Sequence, residues 1–240
     1  VGTSAAKIIA RAGAEGDWAE KEVVSDYDPE RAKKVANEIC GGGKFVPAQI
    51  NAMDAESIKA VVKEHDIDFA MNACDPRMNA TIFDTCLELK IGYLDCAMTL
   101  GTEHPEKPYE LTNIKLGDYQ FAKQKEWEAS GKIAICGSGV EPGMADVFAK
   151  YAEKHLFDKI DRVDVRDGDN YGNTDSDFGF SVWTTIEECL QPPVIWEKNE
   201  EYPDGHWFCT EHFSEPEIFN FPGGIGDVEV VNVEHEEVLL

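Results

Sequence analysis

A glycine and an aspartate near the start of the chain have the spacing seen in folds that bind dinucleotides. Gly2 directly precedes a predicted helix, where the third glycine of a G-x-G-x-x-G turn lets the helix pack closely against a strand. Asp26 ends the next predicted strand, and an acid about 20 residues beyond the turn commonly holds the adenosine ribose. The pair predicts a nicotinamide dinucleotide site, although Asp26 could instead cap the helix that begins at Pro29.

The charge at Asp26 bears on the choice between the two nicotinamide dinucleotides. A carboxylate accepts hydrogen bonds from both ribose hydroxyls and repels a 2′-phosphate, which favours NAD over NADP. Arg31 lies close in sequence and could accommodate that phosphate, so NAD or NADP is expected, with NAD favoured.

Further candidate cofactor contacts follow the ends of other predicted strands. In open parallel sheets the ligand lies beyond the carboxyl ends of the strands. The residues in these positions are Asn72, Ala73 and Cys74 after one strand, and Asp95 after another. Asp54 lies near the end of a third strand and could reach the adenine, but capping the next helix is an equal alternative.

These residues are positioned by strands that alternate with helices over the first 140 residues. Strands are predicted over residues 22–25, 45–50, 67–73, 93–97 and 132–136, and helices over 4–11, 29–39, 54–64, 77–90 and 118–129. The alternation predicts an α/β fold with βαβ crossovers and a Rossmann-type parallel sheet. Its first strand and first two glycines would lie upstream of Val1, so we expect this domain to be N-terminally incomplete.

The pattern changes after Gly143. Helices are predicted over residues 144–156 and 184–190, a strand over 160–166, and mainly strands in the remainder. We therefore expect a dinucleotide-binding domain over residues 1–140. An α+β domain over residues 141–240, C-terminally incomplete, is expected to follow it.

Composition excludes several kinds of partner. The chain has 240 residues, with 47 acidic and 22 basic side chains and a formal net charge of −25. Such a surface repels nucleic acid and anionic lipid, and no apolar run approaches the roughly 20 residues of a membrane helix. Because the seven cysteines show neither a C-x-x-C pair nor a zinc spacing, we expect no metal site and a cytoplasmic location.

Six short segments, in this order along the chain, resemble the saccharopine dehydrogenase family. Residues 139–144 (GVEPGM) match a G-x-x-P-G motif that opens the first helix of the second domain in that family. The other matches are residues 148–152, 164–170, 180–181, 219–222 and 235–237. The last of these, His-Glu-Glu, resembles the carboxynorspermidine branch, and the resemblance spans essentially the whole chain.

The resemblance implies an oxidoreductase of amino-acid and lysine metabolism that moves hydride between a nicotinamide cofactor and a CH–NH bond. It also implies a homodimer, with catalysis in a cleft beside a substrate-binding and dimerisation domain. By this likeness Glu141 would contact the substrate's amino group, and Asp167 and Gly168 would line the pocket. Phe180 would form the pocket wall, and Met98 would lie in a loop between cofactor and substrate.

A carboxylate at Glu141 suits this chemistry, because removing hydride beside nitrogen leaves a cationic iminium that a carboxylate stabilises. Glu141 and Asp167 are therefore the candidate catalytic residues. Glu141 could alternatively be an acid favoured only by the dipole of the helix it precedes.

The substrate is open between saccharopine and a cationic amine. Saccharopine has three carboxylates and calls for arginine or lysine, yet the substrate-binding arginine of saccharopine reductases has no clear counterpart near residues 221–227. Instead, the predicted pocket loop contains five aspartates: Asp164, Asp167, Asp169, Asp175 and Asp177. Unless these face solvent, they favour a polyamine-like or lysine-like substrate, as for carboxynorspermidine synthase or lysine 6-dehydrogenase. A non-catalytic nucleotide-binding scaffold is the alternative of another class.

Overall fold

The chain divides into two compact units. A computed structural model describes residues 1–12, 15, 18–168 and 181–239. The first unit comprises Val1–Cys96 and Tyr119–Cys136, and the second comprises Ala97–Asp118 and Gly137–Leu240. The division after Cys136 lies close to the boundary expected at residue 140. The segment Ala97–Asp118, expected in the first domain, groups with the second unit instead.

The first unit is built from parallel strands connected through helices. Its strands are β1 (Glu22–Asp26), β2 (Phe45–Gln49), β3 (Phe69–Asn72), β4 (Gly92–Asp95) and β5 (Ala134–Ile135). β1 pairs with β2 in parallel, and a second parallel sheet has the order β3-β4-β5. Parallel neighbours require a crossover, which helices supply here. The predicted α/β fold with Rossmann-type parallel sheets is confirmed.

The helices associated with these strands begin at polar capping residues in two informative cases. They are α1 (Gly2–Arg11), α2 (Pro29–Lys33, continued by a π-helical turn Lys34–Ile39), α3 (Ala55–His65), α4 (Asn79–Leu89), α5 (Asp118–Phe121) and α6 (Gln124–Ser130). Asp28, and not Asp26, caps α2 by accepting a 2.9 Å hydrogen bond from the Glu30 backbone N–H. Asp54 caps α3 through the Glu56 N–H at 3.0 Å. Capping is therefore the wrong interpretation for Asp26 and the right one for Asp54.

The core of the first unit packs α4 and α6 against β4. The Phe83 ring meets the Tyr93 ring edge-on with centroids 5.1 Å apart, and lies 5.1 Å from the Trp127 ring. All three side chains are buried. Aromatic pairs of this kind add about 0.5–1.5 kcal/mol each beyond the burial of apolar area. They fix β4, and with it the loop that follows Asp95.

A buried polar network holds the carboxyl ends of β3 and β4 together. The Tyr93 hydroxyl donates to Asp95 Oδ2 at 2.8 Å and accepts from Asn72 Nδ2 at 3.1 Å. Gln120 Nε2 also donates to Asp95 Oδ2, at 2.6 Å, and Asn72 Nδ2 donates to Asn79 Oδ1 at 2.7 Å. A buried polar group without a partner costs about 1–3 kcal/mol, so these bonds constrain both strand ends.

The second unit combines helices with antiparallel strand pairs. β6 (Val194–Glu197) pairs with β7 (His206–Cys209), and β8 (Glu217–Phe221) pairs with β9 (Gly226–Val230). The helices are α7 (Met144–His155) and α8 (Val182–Leu190), and a 3-10 turn covers Glu236–Leu239. This is the α+β character expected after residue 140.

The strand predicted over residues 160–166 is wrong. No strand is assigned there within the described range 18–168. A strand within the fold would bury one face, but Val163 is 58% exposed and Val165 is 43% exposed. Arg166 instead pairs with Glu217 at the start of β8, with an Nη2–Oε2 distance of 2.8 Å. An ion pair therefore fixes the end of this segment, in place of a ladder of backbone bonds.

Replacing Tyr93 with phenylalanine should lower the free energy of unfolding by about 1–3 kcal/mol, because buried Asp95 and Asn72 each lose a hydrogen-bond partner. Urea denaturation measures this change. Tyr27, 74% exposed in the same unit, is the matched control, and Tyr27→Phe should change the free energy by less than about 0.5 kcal/mol. Equal unfolding free energies for the two variants would contradict the role given to the network.

Candidate active site

The start of α1 packs closely against the end of β3. A β-carbon added at Gly2 would lie 3.3 Å from the β-carbon of Ala73, tighter than most real contacts. Such close packing of a helix start on a strand end is what the third glycine of a dinucleotide-binding turn provides. The free N–H groups of the first helical turn favour an anion at this place. The close packing of Gly2 on Ala73 thus agrees with the role predicted for the third glycine of that turn.

Asp26 stands at the carboxyl end of β1 beside an arginine. Its Oδ1 accepts the Asp28 backbone N–H at 2.9 Å, and its Oδ2 lies 3.6 Å from Arg31 Nη1. Desolvation, and after it the negative charges of Asp26 and Asp75, raises the pKa of Cys74, so that thiol stays protonated. Because the charge of Asp26 affects the pKa of Cys74, the two side chains lie near each other. The structure therefore gathers Asp26 and Cys74 from two predicted strand ends.

Two other predicted cofactor contacts lie beneath the surface of the first unit. Asp95 is 0% exposed and Asn72 is 4% exposed, and both belong to the network around Tyr93. Asn72 Oδ1 also accepts the Cys74 backbone N–H at 3.0 Å, which shapes the loop after β3. Their bonds support the strand ends, and direct contact with a cofactor stays a prediction for both, as it does for Asp54.

A tight turn in the second unit presents Glu141 just before α7. The Gly139 N–H donates to the Pro142 carbonyl at 2.8 Å, and the Met144 N–H donates to the Gly139 carbonyl at 3.0 Å. Gly143 has a φ of 122°, and an added β-carbon would lie 2.7–2.8 Å from backbone atoms of Gly137 and Gly139. Only glycine fits there, which explains the second glycine of the G-x-x-P-G motif in physical terms.

Glu141 and Asp167, the two candidate catalytic residues, lie side by side. Glu141 is half-buried, and its side chain is hydrogen-bonded to that of Asp167. Desolvation comes first, and the hydrogen bond and charge of Asp167 add to it, raising the pKa of Glu141 to about 7. Near neutral pH this carboxyl group therefore exchanges readily between its protonated and ionised forms.

The sequence did not single out His235 as a site residue, yet its charge acts on Glu141. Its Nδ1 is hydrogen-bonded to the Glu237 carboxylate and lies 3.5 Å from Glu236 Oε2, while its Nε2 lies 3.8 Å from Glu188 Oε1. Burial alone would lower the pKa of His235, but the bond to Glu237 and the three negative charges raise it to about 9. The imidazole is thus a cation at neutral pH.

We call this group the carboxyl–imidazole cluster, and it consists of Glu141, Asp167, Glu188, His235, Glu236 and Glu237. Burial favours a higher pKa for Glu237, but the hydrogen bond and charge of His235 outweigh it and lower that pKa. Desolvation raises the pKa of Glu188 and of Glu236. Within the cluster, the pKa of Glu237 is therefore shifted in the opposite direction to those of Glu188 and Glu236.

The remaining predicted substrate contacts differ in how far the structure describes them. Met98 is buried, and its backbone N–H donates to Glu236 Oε1 at 3.1 Å, which ties its loop to the cluster. A β-carbon at Gly168 would lie 2.7–3.0 Å from the Phe221 ring, so the end of β8 crowds that position. Phe180 lies outside the described residues, as do Asp169, Asp175 and Asp177.

The described residues meet neither the requirements for a metal site nor those for a membrane-spanning helix. Within residues 1–12, 15, 18–168 and 181–239, no group of three or more His, Cys, Asp or Glu side chains is arranged to hold a metal ion. In the same part of the chain, no helix has the length and apolar character needed to cross a bilayer.

Glu234 provides a test of how strongly this unit removes carboxyl groups from water. It is 5% exposed, and desolvation, followed by the charges of Glu187 and Glu236, raises its pKa to about 8. The unfolded chain ionises this group near its ordinary pKa, while the folded chain keeps the proton. Stability should therefore fall as pH rises from about 4.5 to about 8.

Replacing Glu234 with glutamine should make stability less dependent on pH, because glutamine does not ionise. Relative to the natural chain, the variant should gain roughly 2–4 kcal/mol in unfolding free energy between about pH 5 and pH 8, at about 1.4 kcal/mol per pKa unit. Denaturant titrations at the two pH values measure the gain. Glu229→Gln, at an exposed position of β9, is the control and should show no gain. If the difference in unfolding free energy between Glu234→Gln and the natural chain is the same at both pH values, the burial effect is disproved.

Comparison with known proteins gives sequence relatives over most of the chain. The chain is 34% identical over 199 residues to carboxynorspermidine synthase of Vibrio alginolyticus, which is 81% of this chain and 45% of that protein. It is 29% identical over 200 residues to carboxyaminopropylagmatine dehydrogenase of Synechocystis sp., which is 82% of this chain and 46% of that protein. The chain thus spans about half the length of the curated relatives it matches.

A solved structure shares the fold, and a protein-family model matches the first part of the chain. Apo saccharopine dehydrogenase (L-Glu forming) from Saccharomyces cerevisiae has a similar fold, with a TM-score of 0.58 and 10% sequence identity over 99% of this chain and 54% of that one. Residues 1–135 match the family described as the saccharopine dehydrogenase NADP binding domain. That match covers more than half of the chain and includes Gly2, Asp26, Ala73 and Asp95. The resemblance noted in the sequence is confirmed, and the chain belongs to the saccharopine dehydrogenase NADP-binding-domain family.

Proposed function

We propose that the protein is a nicotinamide-dependent oxidoreductase that acts on the CH–NH bond of a cationic, amino-acid-derived amine. The observation that carries the proposal is the pairing of Glu141 with Asp167, in a chain whose first unit belongs to a dinucleotide-binding family. Two relatives named for carboxynorspermidine and carboxyaminopropylagmatine support an amine substrate. A cytoplasmic homodimer, implied by the cysteine pattern and the family resemblance, stays a prediction.

Residues of the first unit fit the cofactor. We propose that the start of α1, where Gly2 packs closely on Ala73, faces the pyrophosphate and that Asp26 holds the adenosine ribose. Cys74 borders the same strand end, with a thiol that stays protonated and is therefore a poor nucleophile. When bound, the nicotinamide supplies the hydride chemistry, which no amino-acid side chain can provide.

Glu141 has the properties that oxidation of an amine requires. The reacting carbon loses its hydride with both bonding electrons, and the nitrogen lone pair then forms the carbon–nitrogen double bond of an iminium. An ionised carboxylate next to that nitrogen stabilises the developing positive charge. Asp167 places a second carboxyl group beside the first, so the pair can hold a cationic amine before the reaction.

The charges of the second unit favour a cationic amine over saccharopine. Asp167 and Glu141 are acidic, and the imidazolium of His235 is already engaged by Glu237. Arg166, the arginine nearest to Asp167 in sequence, pairs with Glu217 at 2.8 Å and approaches Asp164 at 3.7 Å. A substrate with three carboxylates would meet repulsion here, whereas a polyamine-like or lysine-like substrate would be attracted. Carboxynorspermidine-type and lysine 6-dehydrogenase-type substrates are the two candidates.

Full-length protein should oxidise or form at least one amine in a panel of diamines, lysine, saccharopine and their carbonyl partners, as followed by nicotinamide absorbance. In the oxidising direction kcat/KM should rise with pH through an apparent pKa near 7, because the ionised form of Glu141 is lost as pH falls below that value. Glu141→Gln should remove this limb and lower kcat roughly 100- to 1,000-fold.

Glu153→Gln, an exposed glutamate on α7, should leave both the rate and the pH profile unchanged. Absence of turnover with every pair would contradict the proposed reaction. Cofactor binding without turnover, unaffected by Glu141→Gln, would favour the non-catalytic nucleotide-binding scaffold.

The ion pair at the end of β1 should decide between NAD and NADP. We propose that Asp26 favours NAD and that Arg31 offsets this preference by offering a partner for the 2′-phosphate. Asp26→Ala should improve the Kd ratio in favour of NADP by about tenfold, equal to about 1.4 kcal/mol, and Arg31→Ala should weaken NADP alone. Calorimetric titration of the full-length protein measures both ratios. Lys63→Ala, an exposed lysine on α3, controls for the lost charge. Unchanged ratios in both variants would contradict this assignment.

A further inference from the structure

The carboxyl–imidazole cluster contains residues to which the proposed reaction gives no task. Glu141 and Asp167 serve the substrate nitrogen, but His235 and Glu237 do not. Both are at least partly buried, and the His235 ring is bonded to the Glu237 carboxylate. Glu237 is also hydrogen-bonded to the side chain of Glu141. Glu237 therefore bridges the imidazole and the candidate catalytic carboxyl group.

The charged neighbours of this bridge come from four parts of the second unit. His235 faces Glu188 of α8 at 3.8 Å, Glu236 at 3.5 Å, and the bonded Glu237. Glu141 faces Asp167, His235 and Glu237. The charge of Asp167 also acts on the carboxyl group of Glu188. The imidazole is thus a cation among acids.

Two carboxyl groups can hydrogen-bond to each other only when one of them carries a proton. The imidazolium keeps its bonded partner Glu237 ionised, so in the Glu141–Glu237 contact the proton belongs to Glu141. Asp167 is hydrogen-bonded to Glu141 as well. Glu141 has a single proton and donates it to Glu237 or to Asp167, one at a time, and both acids disfavour a negative charge on Glu141. Burial favours the protonated form of Glu141 most strongly, and the arrangement of its acidic neighbours adds to that effect.

We propose that His235 and Glu237 are positioning residues for Glu141: the imidazole fixes the Glu237 carboxylate, which orients the Glu141 carboxyl group and sets how readily it takes and gives up a proton. This inference rests on the proposed function, because it assigns the proton step of that reaction. In the oxidising direction, ionised Glu141 accepts one proton from the substrate ammonium and frees the nitrogen lone pair. Hydride then leaves the carbon with its electron pair for the oxidised nicotinamide, and the lone pair forms the C=N bond.

A group that takes and returns a proton works best when its pKa is close to the working pH. The value of about 7 for Glu141 meets this condition, whereas an ordinary glutamate would remain almost fully ionised. Burial raises the pKa of Glu141 most, Asp167 and to a smaller extent Glu237 raise it further, and the charge of His235 lowers it. If these neighbours position Glu141, replacing one of them should shift the pKa of Glu141 in a direction that is known in advance.

The test is Glu237→Gln in the full-length protein, with the pKa values of Glu141 and His235 followed by carbon-13 NMR. The Glu141 signal is assigned by its loss in Glu141→Gln. Removing the Glu237 charge should lower both pKa values, that of His235 by on the order of one unit and that of Glu141 by less, and should move the acidic limb of kcat/KM to lower pH. The exposed Glu229→Gln should shift neither value.

Unchanged pKa values of Glu141 and His235 in folded Glu237→Gln overturn the proposal. If that variant does not fold, His235→Gln replaces it: the pKa of Glu237 should then rise, because it loses the bond that lowers it, and an unchanged value overturns the proposal equally. If the NMR shifts occur but no amine is oxidised, the positioning of Glu141 is supported and the proposed reaction alone fails.

Discussion

The site in the second unit depends on carboxyl groups held out of water around one imidazole. Removing an ionised carboxylate from water costs several kcal/mol even after the protein relaxes, and this chain carries a formal net charge of −25. The cluster accommodates its acids in two ways. Glu237 remains ionised by pairing with His235, and desolvated groups such as Glu141 and Glu188 shift towards their protonated forms. Under the proposed function, a cationic substrate would relieve the remaining repulsion.

Rigid backbone features maintain that arrangement within the second unit. The turn that requires Gly143 fixes the residue two positions before it, Glu141, at the start of α7. The bond from the Met98 backbone to Glu236 anchors the other side of the cluster. In the first unit, the network around Tyr93 performs a comparable task for the carboxyl ends of β3 and β4. In both units buried polar bonds determine where reactive groups can lie.

The sequence predicted the features that follow from local pattern. Alternating strands and helices gave the parallel sheets, and the position of Asp26 at the end of β1 followed from strand periodicity. Long-range packing was less accessible. Glu188 and His235 lie 47 positions apart in the chain, and no local signal indicates that α8 would bring one beside the other. The His-Glu-Glu run at residues 235–237 was visible as a family match, but its bond to Glu141 depends on tertiary structure. The strand expected at 160–166 was wrong because alternation alone does not supply a partner strand.

The most direct test of the central claim is the number of protons exchanged when a diamine binds to the full-length protein. Calorimetric titration near pH 7, repeated in buffers that differ in ionisation enthalpy, gives this number. If the amine binds as a cation beside Glu141, its charge lowers the pKa of that carboxyl group, so binding should release a fraction of a proton, and Glu141→Gln should abolish the release. Binding with no proton exchange in the natural protein, or with the same release in the variant, would contradict the placement of the amine at Glu141.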